Sequence, residues 1–498
     1  MTIHNRTAAR LAPSPQRTLL VTSLTAALAA VSGAAIAADF PVSSSADAGP
    51  GSLREAIAQA NTNPGADTIS FSGVSSITLT SGQIDITDDL TVNGPVDGVV
   101  ISGNNTSRIF GVTQQGTSLD LDRVVLVDGR AEDAGGLGNC TEDTWRGGAI
   151  CALGPLGLRD SRILDSEAVD SRGGAIFVAT DGLVALEDCA LIGNTAFRQG
   201  GAASIGAGNL IVSNCTISSN ATSNTSAYGG ALYVDGPATI DGSTFSGNAT
   251  QGQNGDGAAL WLRGDTQILN STLSGNVTTG LSAQGAAIMS REGNLTLRSV
   301  TVTDNVSAAG GAISFEDNLP RTFDLVSTVL SGNTGPEGNL QAFADVDGPI
   351  TVNAQVSLFG DPINEIDGTS FGNQYLDDPV LGPLTDNGCA VPSGVSGLGI
   401  VPAAGCAPTH LPQLGSPVID AGENGLDAFD QRGSGFPRQL FDGVDIGAVE
   451  FEGAIVGPPL PPATPVPTLS NWTLALLGAL MGGLGVIASR RRRVLAQR

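Results

Sequence analysis

Apolar residues recur along this chain in steps of two, in short runs broken by glycine, asparagine, serine and aspartate, and the runs themselves repeat. A row of asparagines, Asn194, Asn220, Asn248, Asn276, Asn305 and Asn333, sets the phase. Three positions before each stands Leu191, Ile217, Phe245, Leu273, Val302 or Leu330; eight before come Leu186, Val212, Ile240, Ile268, Leu297 and Leu325. Five before lies a small or β-branched residue, from Cys189 and Cys215 to Val300 and Thr328. The steps of two are strand periodicity, and the break between the runs marks a turn. A third run follows a Gly-Ala-aliphatic trio that starts at Gly148, Gly174, Gly201, Gly230, Gly257, Gly285 and Gly311, at spacings of 26, 27, 29, 27, 28 and 26. Two rows with one period near 27 are an internal repeat, and such chains grow by adding rungs.

Three short strands per repeat, with no 3.6-residue pattern between them, predict an all-β fold: a single-stranded right-handed parallel β-helix with three sheets. Each strand would pair with its copy one turn on, so like residues stack about 4.8 Å apart. The asparagine row then reads as a buried amide ladder and the glycines as tight corners. Cys189 and Cys215 would be stacked neighbours, and the sequence leaves open whether they are bonded. At the other end of the fold, GSLREAIAQAN from Gly51 to Asn61 has Ser52 and Glu55 at capping-box spacing and one apolar stripe, Leu53, Ala56, Ile57 and Ala60. It predicts a helix across the first coil, where an open solenoid would expose sheet edges. Arg54 beside it reads as an ion-pair residue.

The alternating GGAI and [FILV]-x-x-N motifs over 147–333 resemble repeats of the chlamydial-type polymorphic outer-membrane proteins, which implies a surface β-helix, although those proteins end in a barrel translocator and this chain has none evident. The GSLREA segment resembles the CSLREA segment of secreted β-helix proteins, with Gly51 in place of cysteine. From Leu381 to Glu450 the motifs LGPLTDNG, GSPVIDAG, DQRG and DGVDIGAVE resemble the C-terminal region of choice-of-anchor proteins of the Q type, which implies surface display and names no reaction.

Both ends read as addresses. Residues 1–38 have a basic start, an apolar run from Leu19 to Ile36 and small residues Ala35, Ala37 and Ala38 about a cleavage site, the layout of a secretory signal. At the other end Val466, Pro467, Thr468, Leu469 and Trp472 precede an apolar run from Thr473 to Ser489 and the cluster Arg490, Arg491, Arg492 and Arg493. The run is at the short limit for a transmembrane helix, and the arginines would keep its C-terminus in the cytosol. This tail resembles the IPTL-type sorting signal, with valine for the first isoleucine, which implies recognition by an exosortase-type membrane enzyme; a plain tail anchor is the alternative. The expected organisation is a signal peptide at 1–38, cap and irregular first coils at 39–139, repeat β-helix at 140–345, C-terminal coils at 346–452, a proline-rich linker at 453–465 and the sorting signal at 466–498.

Composition narrows the chemistry. Only 14% of residues are charged, glycine numbers 68, and the net charge is -25. Setting aside the eight arginines near the two ends leaves 15 basic against 48 acidic side chains, a surface that repels nucleic acid. The chain has no lysine, which excludes Schiff-base chemistry. Export places the six cysteines in an oxidising compartment, and Cys140 with Cys151 and Cys389 with Cys406 would each close a short loop.

Of the two histidines only His410 lies outside the signal, too little for a triad or a multi-histidine metal site. A glycosidase needs two carboxylates in one site, and the outward row Glu187, Ser213, Asp241, Leu269, Arg298 and Val326 offers no adjacent pair. A polysaccharide lyase or glycoside hydrolase is nonetheless the alternative function on this scaffold. No catalytic residue and no cofactor is assigned; Asp427, Asp430, Asp442, Asp445 and Glu450 carry the oxygen ligands Ca²⁺ would use, with turn capping as their ordinary role. The residues after the glycine trios, Phe177, Tyr233, Leu260 and Ile288 among them, suggest an outward apolar stripe for glycan or protein contact, with loop coverage as the alternative. The leading expectation is a non-enzymatic adhesin or envelope component, handled by secretion machinery and a sorting enzyme, meeting glycans or host or envelope proteins, and held to a membrane through its C-terminal helix.

Overall fold

The computed structural model describes residues 37–132, 140, 146–179, 182–316, 320–341, 350–360, 368–389, 406–425, 427–440 and 443–453. Residues 1–36, most of the segment read as a secretory signal, lie outside them, as do most of the linker and the whole sorting tail. Within them no helix is long and apolar enough to cross a membrane. The described residues from Ala37 to Phe451 form one compact unit; of the second, Glu452–Arg498, only Glu452 and Gly453 are described.

The repeat folds as a parallel β-solenoid. Sheet A has 13 described strands, among them Val184–Glu187 and Leu210–Ser213; sheet B has 12, among them Ala190–Ile192 and Thr216–Ser218; sheet C has 10, among them Ile176–Val178 and Leu232–Val234. A fourth ladder of 6 two-residue strands, sheet D, adds to the three read from the sequence: after Asn194, Asn220, Asn248 and Asn276, pairs such as Thr195–Ala196 and Ala221–Thr222 stay extended long enough to bond their copies.

Register follows the repeat. Leu191, Ile217, Phe245, Leu273, Val302 and Leu330 stack in one inward column, and alternate residues of sheets A and C fill the rest of a continuous core. Burying each such side chain is worth about 1.5–3 kcal/mol. The asparagines form an unbroken amide ladder: Nδ2 of Asn194, Asn220, Asn248, Asn276 and Asn305 donates to Oδ1 of the next at 2.8–3.0 Å, and Asn333 ends it on Asn339 at 3.0 Å. Each Oδ1 also accepts a backbone N–H from the rung before, as Asn248 does from Asn220, so a buried polar column leaves these amides satisfied.

Two corner columns were not read from the sequence. Six positions before each asparagine stand Asp188, Asn214, Gly242, Asn270, Ser299 and Ser327, and one before stand Gly193, Ser219, Gly247, Gly275, Asp304 and Gly332, all with positive φ. Glycine, asparagine and aspartate tolerate that backbone best, and their recurrence at fixed offsets was the available signal.

The helix α1, Leu53–Ala60, begins at Ser52, whose Oγ accepts from Glu55 N at 3.2 Å while Glu55 Oε2 accepts from Gly51 N at 2.6 Å. Its buried residues Leu53, Ala56, Ile57 and Ala60 join the core cluster, and it touches the first strands of sheets A and C. Arg54 pairs with Asp47 at 2.9 Å and donates to the carbonyls of Gly82 and Gln83. Burial opposes the Asp47 charge, but hydrogen bonds from Ser81 and Arg54 prevail and hold its pKa down at about 2.

Candidate functional site

The outward row of sheet C differs from the one read off the glycine trios. Pairing aligns Leu232 with Leu260 and Ile288, and Tyr233 with Trp261 and Met289. Leu260 and Ile288 therefore point into the core, both 0% exposed, and are not part of a surface stripe. The cause is a phase slip: at Gly257 and Gly285 the glycine is the first of the corner pair, with φ of +66° and +63°, and alanine holds the second place. The true row reads Cys151, Phe177, Ser204, Tyr233, Trp261, Met289 and Ser314.

That row is covered. Phe177 and Tyr233 are each 6% exposed, Trp261 2%. The Arg146 guanidinium lies 4.8 Å over the Phe177 ring, and Tyr233 and Tyr228 stack on Trp261 at 4.3 and 5.6 Å. Cys151 is joined to Cys140 by a disulfide in the same cluster as Phe177. Burial, together with Asp235, which takes its hydroxyl proton's hydrogen bond at 3.0 Å, pushes the Tyr233 pKa up to about 12. Phe177, Tyr233 and Trp261 thus offer little open surface on this face.

Sheet B carries a second covered face, and here the cover is the chain's own C-terminal region. Between Pro379 and Phe451 the backbone returns along the outward residues of five rungs. Thr244 Oγ1 donates to Pro408 O at 2.7 Å, and Gln431 bridges Thr244 and Thr272 at 2.7 and 2.5 Å. Further along, Ala448 N donates to Thr301 Oγ1 at 3.0 Å, and Val329 and Leu358 pack with Val418 and Ile446. At one edge Arg298 pairs with Asp427 at 3.1 Å. A disulfide joins Cys389 to Cys406 in this region, whereas Cys189 and Cys215 are free, buried thiols. Burial and the neighbouring Cys215 raise the Cys189 pKa.

The DQRG and DIGAVE motifs supply a buried ionic network within that docked region. Arg432 Nη2 meets Asp430 Oδ2 at 2.6 Å, the same carboxylate accepts from Glu450 N, and Arg438 donates to Gly447 O at 2.6 Å with Glu450 Oε1 at 3.3 Å. Burial drives the Glu450 pKa up to about 9 against the pull of Arg438, and raises Asp445 as well. These carboxylates face arginines and backbone N–H groups; among the described residues no set of three or more His, Cys, Asp or Glu side chains converges to hold a metal. Asp442 lies outside the described residues.

His410 sits between the two parts. Its Nδ1 lies 2.7 Å from Gly382 O and its Nε2 2.8 Å from Ser274 Oγ, so Nδ1–H donates to the carbonyl and Nε2 accepts the hydroxyl proton. That is the contact of a base with a nucleophile, but Ser274 is 3% and His410 4% exposed, leaving a substrate no approach. The pair fastens the docked region to the solenoid. In the outward row of sheet A, Glu187 pairs with Arg159 at 3.1 Å and Asp241 accepts from Asn270, each carboxylate bound to a neighbour of its own.

Residues 157–320 match the family described as right handed beta helix region, and residues 464–493 match the IPTL-CTERM motif. The chain is a β-helix protein with a C-terminal sorting signal. The first match falls on the regular rungs; the second contains Val466, Pro467, Thr468, Leu469, Trp472 and Arg490–Arg493, outside the described residues. Together they fit an exported cell-surface protein processed by an exosortase-like system. No curated protein matches the chain.

Proposed function

We propose that this β-helix is displayed at the bacterial surface and works by binding, as an adhesin or envelope component, after an exosortase-type enzyme has acted on its tail. The observation that carries the reading is the sorting motif at 464–493 on a chain whose folded body is a β-helix. In this reading the secretory signal, cut near Ala35, Ala37 and Ala38, delivers the chain across the inner membrane. Helix α1 closes the first coil, supported by its four apolar residues in the core, and the apolar run after Trp472 spans the membrane until processing. A non-enzymatic role is supported by the buried carboxylates Asp430 and Glu450, which face arginines and backbone N–H groups.

Replacing Arg490–Arg493 with glutamine tests it. The wild-type protein is expected to lose its tail, seen by intact mass, and to become accessible to external protease on whole cells. The variant is expected to keep the tail and stay in the inner-membrane fraction. Equal processing and equal surface accessibility of the two proteins would overturn the reading.

A further inference from the structure

Among the described residues, sheet A keeps an outward face that neither the docked region nor a loop closes. Its strands stack Ala185, Ile211, Thr239, Gln267, Thr296 and Asp324 in one row. From Ile211 to Asp324, with the corner residues leading into the sheet, Leu183 and Asn209 among them, this row lines a trough of about 570 Å³. A second trough of about 420 Å³ adjoins it on the same sheet, its floor running on through Gly157 and Ala185.

Two kinds of polar group line the longer trough. Those at the far corner are used by the fold: Asp265 Oδ1 accepts from the backbone and side chain of Asn294, and Asn294 Oδ1 accepts from both donors of Thr322. The side chains of Asn209, Thr239, Gln267 and Thr296 have no hydrogen-bond partner among the described residues. Thr239, Gln267 and Thr296 stand on three consecutive rungs, so their donors and acceptors repeat at about 4.8 Å. Beside them Leu183 and Ile211 are 47% and 41% exposed, apolar surface set within a polar row. The charged groups lining this trough are Asp265 and Asp324, with no arginine, on a chain of net charge -25. A polyanion would be repelled; a polymer rich in hydroxyls, with apolar ring faces and no charge, would not.

We propose that the outward face of sheet A binds an extended, uncharged polysaccharide laid along the solenoid axis. Asn209, Thr239, Gln267 and Thr296 hydrogen-bond its hydroxyls, and Leu183 and Ile211 pack against its sugar rings. Each rung contributes a weak contact, and successive sugars meeting successive rungs add them within one binding event. The inference names the ligand of the binding function proposed above and rests on that reading.

The exported protein, run by affinity electrophoresis through gels containing a neutral glucan, a galactomannan or polygalacturonate, supplies the test. Retardation is expected with a neutral polymer and not with polygalacturonate. The combined variant Thr239→Ala, Gln267→Ala and Thr296→Ala should weaken binding at least about tenfold, the loss of three hydrogen bonds between neutral groups, with an unchanged circular dichroism spectrum. Arg263→Ala, on the rim of sheet C, should bind as wild type. Equal retardation of the triple variant, retention by polygalacturonate alone, or no retention by any polymer would overturn the trough assignment. None of these results bears on surface accessibility, so display and glycan binding fail separately.

Discussion

In the rungs between Ala149 and Phe359 the same inward positions carry leucine, isoleucine, valine or phenylalanine turn after turn, and one amide ladder runs through them. The docked region from Pro379 to Phe451 has only a few isolated bridges in place of such ladders and buries Asp430, Arg432, Arg438, Asp445 and Glu450 instead. The first kind of interior is redundant: a rung that loses one contact keeps two neighbours. The second is singular, because each buried charge has one arrangement of partners and desolvation penalises any other. A repeated interior spreads its stability along the axis, whereas an irregular one concentrates it in a few side chains.

The sharpest way to break the comparison is Arg438→Ala. Removing this fully buried side chain empties its space and leaves Gly447 O without its donor, and a loss of about 3–5 kcal/mol is expected, confined to the docked region. Hydrogen exchange should rise over 406–451 and in the sheet B threonines beneath, while amides of sheets A and C stay protected. Uniform exchange along the whole solenoid would show that the two interiors are not separable.

Asn248→Ala probes the repeated interior. It removes the acceptor for Asn220 N and Nδ2 and the donor to Ile217 O and Asn276, leaving buried amide groups unpaired. A loss of about 3 kcal/mol by urea unfolding is expected, with exchange rising on the adjoining rungs and falling off with distance. A change confined to one rung would deny the ladder its cooperative role.

A third way to sharpen the comparison is a pH dependence belonging to the docked region. The Glu450 pKa is raised from 4.5 to about 9, so the folded protein binds this proton more tightly than the unfolded chain does. Its stabilisation is complete below about pH 4.5 and is lost as pH rises through 9. Proteolytic release of the docked region should quicken as pH rises from 6 to 9, within the window the shift opens. Glu450→Gln should flatten the response, and a variant as pH-sensitive as wild type would place the titrating group elsewhere.

Local pattern made the solenoid legible. Leu191, Ile217 and Phe245 announce a column because each strand pairs with its own copy, so a position in one repeat predicts its neighbour in space. The same logic failed at Gly257 and Gly285, where alanine in the second corner place moved the apparent motif by one residue. In a strand a slip of one turns a side chain to the opposite face, so Leu260 and Ile288 were read as outward when they line the core. The corner columns were visible as residue types and passed over because each site tolerates several of them.

What the sequence determined by itself is the period, the stacking, the helix at Leu53–Ala60 with its apolar stripe, and the sorting motif over 464–493, since each is written in residues close in sequence or one repeat apart. Tertiary structure alone decided that the C-terminal region folds back on sheet B, that Phe177, Tyr233 and Trp261 are covered, and that sheet A stays open among the described residues. Contacts such as Thr244 with Gln431 join residues 187 positions apart with no periodic relation. A repeat predicts what lies one turn away; a contact without a repeat leaves no periodic trace in the chain.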